Sequence, residues 1–255
     1  MRRNRKYQHN FSEMLSEQMY DHQGREQKAR TMVAVLSDFL KADLGLLSVL
    51  DVGASTGIIA NFLAAKFNRV IGIDIDESAI RYAHQHFQKD NLKFFKDDSM
   101  QMNFPQESFD VVICSQVYEH VPDAGRLMSE IFRVLKHGGV CYFAAGNRLN
   151  VMEHHYQLPF LSIIPRPIAH IYLRAFGKGK FYYEKHLTYW ALKKLVCRFQ
   201  IIDYTKKIIQ QPEHFEAEYM LRPHSRKAKL ARLIVNRYYW LCPTYIWLLK
   251  KTSRT

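Results

Sequence analysis

The chain has 255 residues, 47% hydrophobic, 24% charged and 13% aromatic, a balance that excludes disordered, collagenous and repeat-built architectures. At this length one domain of roughly 200–250 residues is expected, large enough to bury a sizeable core. Lys and Arg number 37 against 24 Asp and Glu, a formal charge of +13 that attracts nucleic acid, anionic lipid or phosphorylated substrates but does not define a reaction.

Positive charge is concentrated in the opening run Met1-Arg2-Arg3-Asn4-Arg5-Lys6. Residues 7–27 are polar and offer no apolar signal-peptide core, so export by that route is not expected. Residues 28–42 place apolar groups at helical spacing ahead of Gly45, which predicts an amphipathic helix that covers a sheet. Strands are then predicted at Ser48–Val52, Arg69–Asp74, 92–95, 109–114 and 140–145. Helices are predicted at 58–66, 78–88 and 124–135, with a turn at Gly138-Gly139. Such alternation means βαβ units and a parallel sheet covered on both faces.

After Gly146 the rhythm breaks. Residues 147–186 are rich in His, Tyr and Pro, and Pro159, Pro165 and Pro167 argue against a long regular element. Their aromatic content points to a functional cover. A helix at 188–199, a strand at 200–204 and a basic amphipathic helix at 225–239 follow. Residues 245–249 read as a final buried strand, with an interfacial membrane anchor as the alternative. The apolar stretch 238–249 is too short to span a bilayer and contains Pro243. Cys114, Cys141, Cys197 and Cys242 form no C-x-x-C pair, so they read as reduced core residues of a cytoplasmic protein.

The most informative run is Val49-Leu50-Asp51-Val52-Gly53-Ala54-Ser55-Thr56-Gly57, a strand entering small residues and then a helix. Gly53 and Gly57 allow unusual dihedrals and let a ligand lie against the backbone at the strand's carboxyl edge. Asp74 ends the second strand about twenty residues later, where a carboxylate can accept both hydroxyls of a ribose. Asp98, in Lys96-Asp97-Asp98-Ser99, closes the third strand where an adenine amine could donate to it. Acids also gather at strand ends as solvated turn residues, but three in register with the turn make an adenosine pocket.

With these residues the chain resembles the class I S-adenosylmethionine-dependent methyltransferases, particularly the type 11 group. The likeness covers about residues 45–146. It rests on the glycine turn, Val70-Ile71-Gly72-Ile73-Asp74, Asp98 ahead of Ser108-Phe109-Asp110-Val111-Val112, Glu119-His120-Val121-Pro122-Asp123 and Arg133-Val134-Leu135-Lys136-His137-Gly138-Gly139. The resemblance implies an α/β, Rossmann-like, doubly wound seven-stranded sheet with an antiparallel last strand and a lid insertion after the fifth strand. The expected divisions are a basic tail and covering helix (1–44), a cofactor-binding core (45–146), a substrate lid (147–186) and the rest of the same domain (187–255).

The implied cofactor is S-adenosylmethionine. Gly53, Ala54 and Gly57 would cradle its methionine part with support from Asp51, and Ser55 stands where members often carry a third Gly. Asp74 with Ile75 would hold the ribose, Asp98 with Ser99 the adenine, and Ser115 with Gln116 would line the methyl-donor end. Methyl transfer needs in-line positioning and, for some acceptors, removal of a proton. His120, after the fourth strand, is the candidate base, with helix capping or packing as its other reading. Glu119 and His120 alone do not make a metal site, so none is expected.

Residues 147–186 resemble, more loosely, inserts of bacterial methyltransferases that act on surface-glycan or lipid-linked substrates. His154, His155, Tyr156 and Tyr183 are the expected substrate-binding residues, with Tyr182, Glu184, Arg148, Arg166 and Arg174 nearby in sequence. The expected reaction is methylation, at oxygen before nitrogen or carbon, of a small-molecule, glycan or lipid-linked acceptor, with peripheral membrane contact allowed. Nucleic acid is disfavoured because Cys114-Ser115-Gln116-Val117 does not resemble the Pro-Pro-aromatic pattern of base N-methyltransferases. An RNA-directed methyltransferase and a non-catalytic S-adenosylmethionine-binding protein remain alternatives. A remoter one is an NADP-dependent short-chain dehydrogenase using Tyr189 and Lys193. No oligomeric state follows.

Overall fold

The computed structural model describes residues 8–252, so the basic run 1–6 lies outside the described residues. Two single-turn helices, α1 (Phe11–Met14) and α2 (Ser16–Met19), lead into α3 (His22–Leu40). Asp21 caps α3 by accepting from Gly24 N–H at 3.0 Å, so this helix starts earlier than its apolar stripe. It stops at Lys41, in the left-handed region at φ 48°, rather than at Gly45.

The core then alternates: β1 (Ser48–Val52), α4 (Ile58–Ala64), β2 (Arg69–Asp74), α5 (Glu77–His86), β3 (Leu92–Lys96), β4 (Phe109–Ser115), α6 (Ala124–Val134) and β5 (Leu135–Gly146). A short hairpin, β6 (Met152–Glu153) with β7 (Leu158–Pro159), precedes α7 (Arg166–Ala175). The chain closes with α8 (Tyr189–Leu195), β8 (Gln200–Asp203), α9 (Thr205–Gln210), α10 (Arg226–Arg237) and β9 (Thr244–Lys250).

Seven strands form one sheet in the order β3-β2-β1-β4-β5-β9-β8. Neighbours from β3 to β5 are parallel, and β9 runs antiparallel to both β5 and β8. This is the doubly wound sheet with an antiparallel last strand expected from the sequence. Period-two alternation divides the strand residues between two cores. Val49, Val111 and Val140 pack with Met32, Val35 and Leu36 of α3 on one face, while Leu50, Val112 and Cys141 meet Leu127 and Ile131 of α6 on the other. Residues 245–249 are buried in a strand paired along its length with β5 and over Trp247–Leu249 with β8, which removes the membrane-anchor alternative for them.

Three local expectations change. Gly138-Gly139 lies inside β5, where the ladder to β4 slips between Phe109 and Val111 and Gly138 takes φ 75°. Residues 147–186 contain α7 despite their prolines, because Pro165 is its N-cap and Pro167 sits in its first turn, where a missing N–H is harmless. Cys197 is exposed: Leu192 and Val196 take the inward positions of α8 and its C-cap, and the next residue turns outward. A small separate core of Leu158, Leu161, Ala169, Leu173 and Tyr182 holds the insertion together.

Candidate active site

The carboxyl ends of β1, β2 and β4 meet beneath the insertion, where strand order reverses and open α/β sheets bind ligands. At the end of β1, Gly53 and Ala54 N–H donate to Ile73 O at 2.9 and 3.0 Å. Gly53 has φ 73°, and a Cβ there would lie 2.7 Å from Val117 Cγ2. Gly57 caps α4 at φ 79°, and its missing Cβ makes room for Phe94 and Ala83. Ser55 also lies in the left-handed region, at φ 50°, the backbone state that a third glycine would adopt without strain. Its N–H donates to Asp74 Oδ2 at 2.8 Å, and Asp76 N–H donates to Asp74 Oδ1 at 2.9 Å, so the strand-end carboxylate is fixed before any ligand arrives.

A cavity of about 910 Å³ opens here, a size suited to a nucleoside cofactor together with an acceptor. Asp51, Gly53, Ser55, Asp74, Ile75 and Ser99 line its floor, and Ser115, Gln116 and His120 line the adjoining wall. Gln116 is held at φ 57°, a strained setting for a non-glycine residue of the kind found at functional sites. Ala54 and Gly57, expected to touch the cofactor, are not among the residues that line the cavity. Asp97 lines the cavity next to Ser99, whereas Asp98 Oδ1 accepts from Met100 N–H at 2.8 Å. His154 and His155 reach the cavity. Tyr156 packs against the insertion's own core, and Tyr183 is about half exposed.

The structure adds residues that the sequence does not mark. Arg25 of α3 is buried in the wall; burial lowers its proton affinity while the charges of Asp51 and Asp74 raise it. Burial pushes the Asp51 carboxyl up to about 7 against the attraction of Arg25, and burial also raises Asp74. Residues 8–21 roof the cradle: Ser12 N–H and Oγ each donate to Asp76 Oδ2 at 2.8 Å, and Thr56 Oγ1 donates to Met19 O at 2.7 Å. Glu153 and His186 face the cavity from the insertion and its exit. Tyr189 and Lys193 are not brought there. The Tyr189 ring packs on Tyr239, Tyr245 and Trp247, with Lys193 Nζ 5.7 Å from its centre.

Residues 50–143 match the family described as a methyltransferase domain. This stretch is a class I S-adenosylmethionine-dependent methyltransferase domain. A ubiquinone biosynthesis O-methyltransferase of Psychrobacter cryohalolentis is 30% identical over 164 residues, covering 60% of this chain and 59% of the relative. A sterol 24-C-methyltransferase of Aspergillus fumigatus is 42% identical over 100 residues, 37% of this chain and 26% of the relative. The chain thus spans about three fifths, or less, of the length of these curated relatives. Among solved structures, the methyltransferase bound to the Haloferax volcanii Trm112 activator aligns with TM-score 0.58 at 16% identity, covering 95% of this chain and 98% of that one.

The cofactor of the methyltransferase domain is S-adenosylmethionine, and the cradle suits it. The close approach of Val117 to Gly53 keeps side-chain bulk out of the turn. Asp51 Oδ2 is buried without a hydrogen-bond partner among the described residues, as befits a carboxylate that awaits a cationic ligand.

Proposed function

We propose that this chain transfers a methyl group from S-adenosylmethionine to an oxygen of an apolar, lipid-linked or glycan-bearing acceptor that enters beneath the insertion 147–186. The single observation that carries the reading is one continuous cavity joining the glycine cradle, Asp51 and Asp74 to His120, His154 and His155. In this reading Gly53, Ala54, Ser55 and Gly57 shape the methionine pocket, with Asp51 beside the amine. Asp74 with Ile75 takes the ribose, Asp98 with Ser99 the adenine, and Ser115 with Gln116 the donor end. The bound cofactor supplies an already activated methyl group, so the protein's contribution is alignment and proton removal. His120 Nδ1 lies 2.8 Å from Gln8 Oε1, which sets its ring at the acceptor end, where it receives the acceptor's proton. His154 and His155 contact the acceptor, with Tyr156 and Tyr183 contributing from the lid.

The insertion's surface supports an apolar, membrane-borne acceptor. Ile168, Ile171 and Phe176 are 54%, 59% and 59% exposed. Arg166, Arg174, Lys178 and Lys180 lie among them, with no Asp or Glu between residues 154 and 183. A basic, apolar face of this kind suits an anionic bilayer surface. No helix among the described residues is long and apolar enough to cross a membrane, so contact of this kind is peripheral. The relatives named for ubiquinone biosynthesis and for sterols both concern apolar compounds.

Calorimetric titration with S-adenosylmethionine, S-adenosylhomocysteine and NADP tests the cofactor half. The first two are expected to bind and the third not, and Asp74→Ala should weaken binding by roughly 1–3 kcal/mol as hydrogen bonds to a charged group are lost. Binding of NADP alone would overturn the proposal. In a methyl-transfer assay on extracted lipids, His120→Ala should lower turnover while leaving S-adenosylhomocysteine affinity intact.

A further inference from the structure

Three side chains at the acceptor end of the cavity converge without any motif having announced them. Glu153 is the last residue of β6, His155 lies two residues on, and His186 sits where the chain leaves the insertion. Their donor atoms all lie within 4.8 Å of one another. His155 Nδ1 is 2.6 Å and His186 Nε2 3.5 Å from the same carboxylate oxygen, Glu153 Oε1. The other oxygen, Oε2, accepts the backbone N–H groups of His155 and Tyr156, each at 2.9 Å. One oxygen therefore anchors the carboxylate and the other is presented to two imidazoles. The Glu153 and His186 side chains are 1% and 9% exposed, and all three residues line the cavity.

The backbone holds this arrangement in place. Lys185 N–H donates to Glu119 O at 2.9 Å and Leu187 N–H to Tyr118 Oη at 3.0 Å, which pins His186 from both sides. Its Nδ1 is buried with no hydrogen-bond partner among the described residues, so the ring's orientation is set by Nε2, which faces Glu153 Oε1. Two imidazoles and one carboxylate form the donor set of open catalytic sites for zinc and related divalent ions. At metal-ligand distances of about 2.0–2.2 Å tetrahedral donors stand about 3.3–3.6 Å apart; His186 Nε2 is already 3.5 Å from Glu153 Oε1, and His155 Nδ1 would move outward from 2.6 Å to admit the ion. An ordinary His155–Glu153 ion pair would account for one imidazole. It leaves unexplained why the second is directed at the same oxygen.

We propose that Glu153, His155 and His186 bind one divalent transition-metal ion, with zinc as the reference ion, whose remaining positions face the cavity and take an oxygen of the acceptor. The site itself rests only on these three residues; its role toward the acceptor rests on the methyltransferase reading above. A hydroxyl held there gives up its proton more readily, because the cation stabilises the charge left on oxygen. The O–H electron pair stays on oxygen and the proton passes to His120.

The untagged full chain, stripped with chelator, is titrated with Zn²⁺ by calorimetry and with Co²⁺ by visible absorption. One equivalent is expected to bind with micromolar or tighter affinity. Glu153→Gln and His186→Ala should each weaken it at least a hundredfold while changing S-adenosylhomocysteine affinity less than twofold. Glu153→Gln keeps an oxygen for the two backbone N–H groups, and unfolding curves confirm that both variants are folded. His214→Ala, at an exposed histidine beside Asp38, serves as the control for surface binding. Wild-type affinity in both site variants, or loss equal to that in His214→Ala, would overturn the site. Failure of the wild type to bind S-adenosylhomocysteine would instead overturn the methyltransferase reading, with the metal titration still deciding the ion.

Discussion

Asp51→Asn is expected to abolish a pH dependence of stability that originates in the cofactor cradle. Asp51 is buried at the end of β1 with one oxygen unpartnered, and burial moves its carboxyl from 3.8 to about 7. Between those values the folded chain holds a proton that the unfolded chain has released, so stability falls as pH rises through this window and levels off above about 7. At about 1.4 kcal/mol per pH unit the whole decline is on the order of 4 kcal/mol, of which about 3 kcal/mol falls between pH 5 and pH 8. Urea unfolding of wild type and Asp51→Asn across that range isolates the group, since Asp74 titrates in both proteins. The wild type should lose about 3 kcal/mol relative to the variant from pH 5 to pH 8. A cationic amine beside Asp51 reverses the preference, so S-adenosylhomocysteine affinity should climb more steeply with pH up to about 7 in the wild type than in the variant, where only the Asp74 contribution remains. Parallel stability curves for the two proteins would refute the argument.

Gly53→Ala puts a Cβ 2.7 Å from Val117 Cγ2 at φ 73°; it should destabilise the fold by roughly 1–3 kcal/mol and weaken cofactor binding. Gly53→Ala with Val117→Ala should recover part of the loss in unfolding and calorimetry. Replacing Ile168 and Ile171 of α7 together by Glu should abolish sedimentation with anionic vesicles while leaving the melting temperature unchanged, because both side chains are more than half exposed. Wild-type chain that fails to sediment with anionic vesicles would remove the membrane face from the proposal. Amide hydrogens of residues 11–19 should exchange far faster than those of β1 and β4, and S-adenosylhomocysteine should slow them. They are tied down mainly by a few side-chain hydrogen bonds, each worth about 0.5–1.5 kcal/mol, rather than by a sheet ladder.

Most of the sheet was readable because its inner strands are buried on both faces and leave continuous apolar runs such as Val111-Val112-Ile113-Cys114. The final strand was readable for the same reason, although only the ladder shows that it lies between β5 and β8. Helix limits were less legible where a cap decides them. Asp21 starts α3 more than a turn and a half before its apolar stripe, and no periodicity records that. The insertion hides α7 because proline breaks a helix in its interior but is harmless at its N-terminus, and the sequence alone does not say which place Pro165 and Pro167 hold. Glu153 and His186 went unmarked because they are thirty-three residues apart and meet only through the pinning of residues 185–187 to Tyr118 and Glu119. Glu153-x-His155 was the one local sign available.

The two halves of the cavity differ in how they are built, and that difference bears on how acceptor choice arises. The half proposed to hold the cofactor comes from strand ends whose register is fixed by the ladder: Ser55 reaches Asp74 because Val52 pairs with Ile73. Change there disturbs the sheet itself. The half proposed for the acceptor also draws on segments that share no ladder with the main sheet, namely Gln8, the insertion and residues 219–221. Gln8 joins two of these pieces to the core, with Oε1 2.8 Å from His120 Nδ1 and Nε2 donating to Glu184 Oε1 at 3.2 Å. Because the insertion carries its own small core, residues on its inner surface can change without unfolding the sheet. Acceptor specificity is therefore expected to reside in these covering segments, and the chemistry common to the fold in the strand ends beneath them.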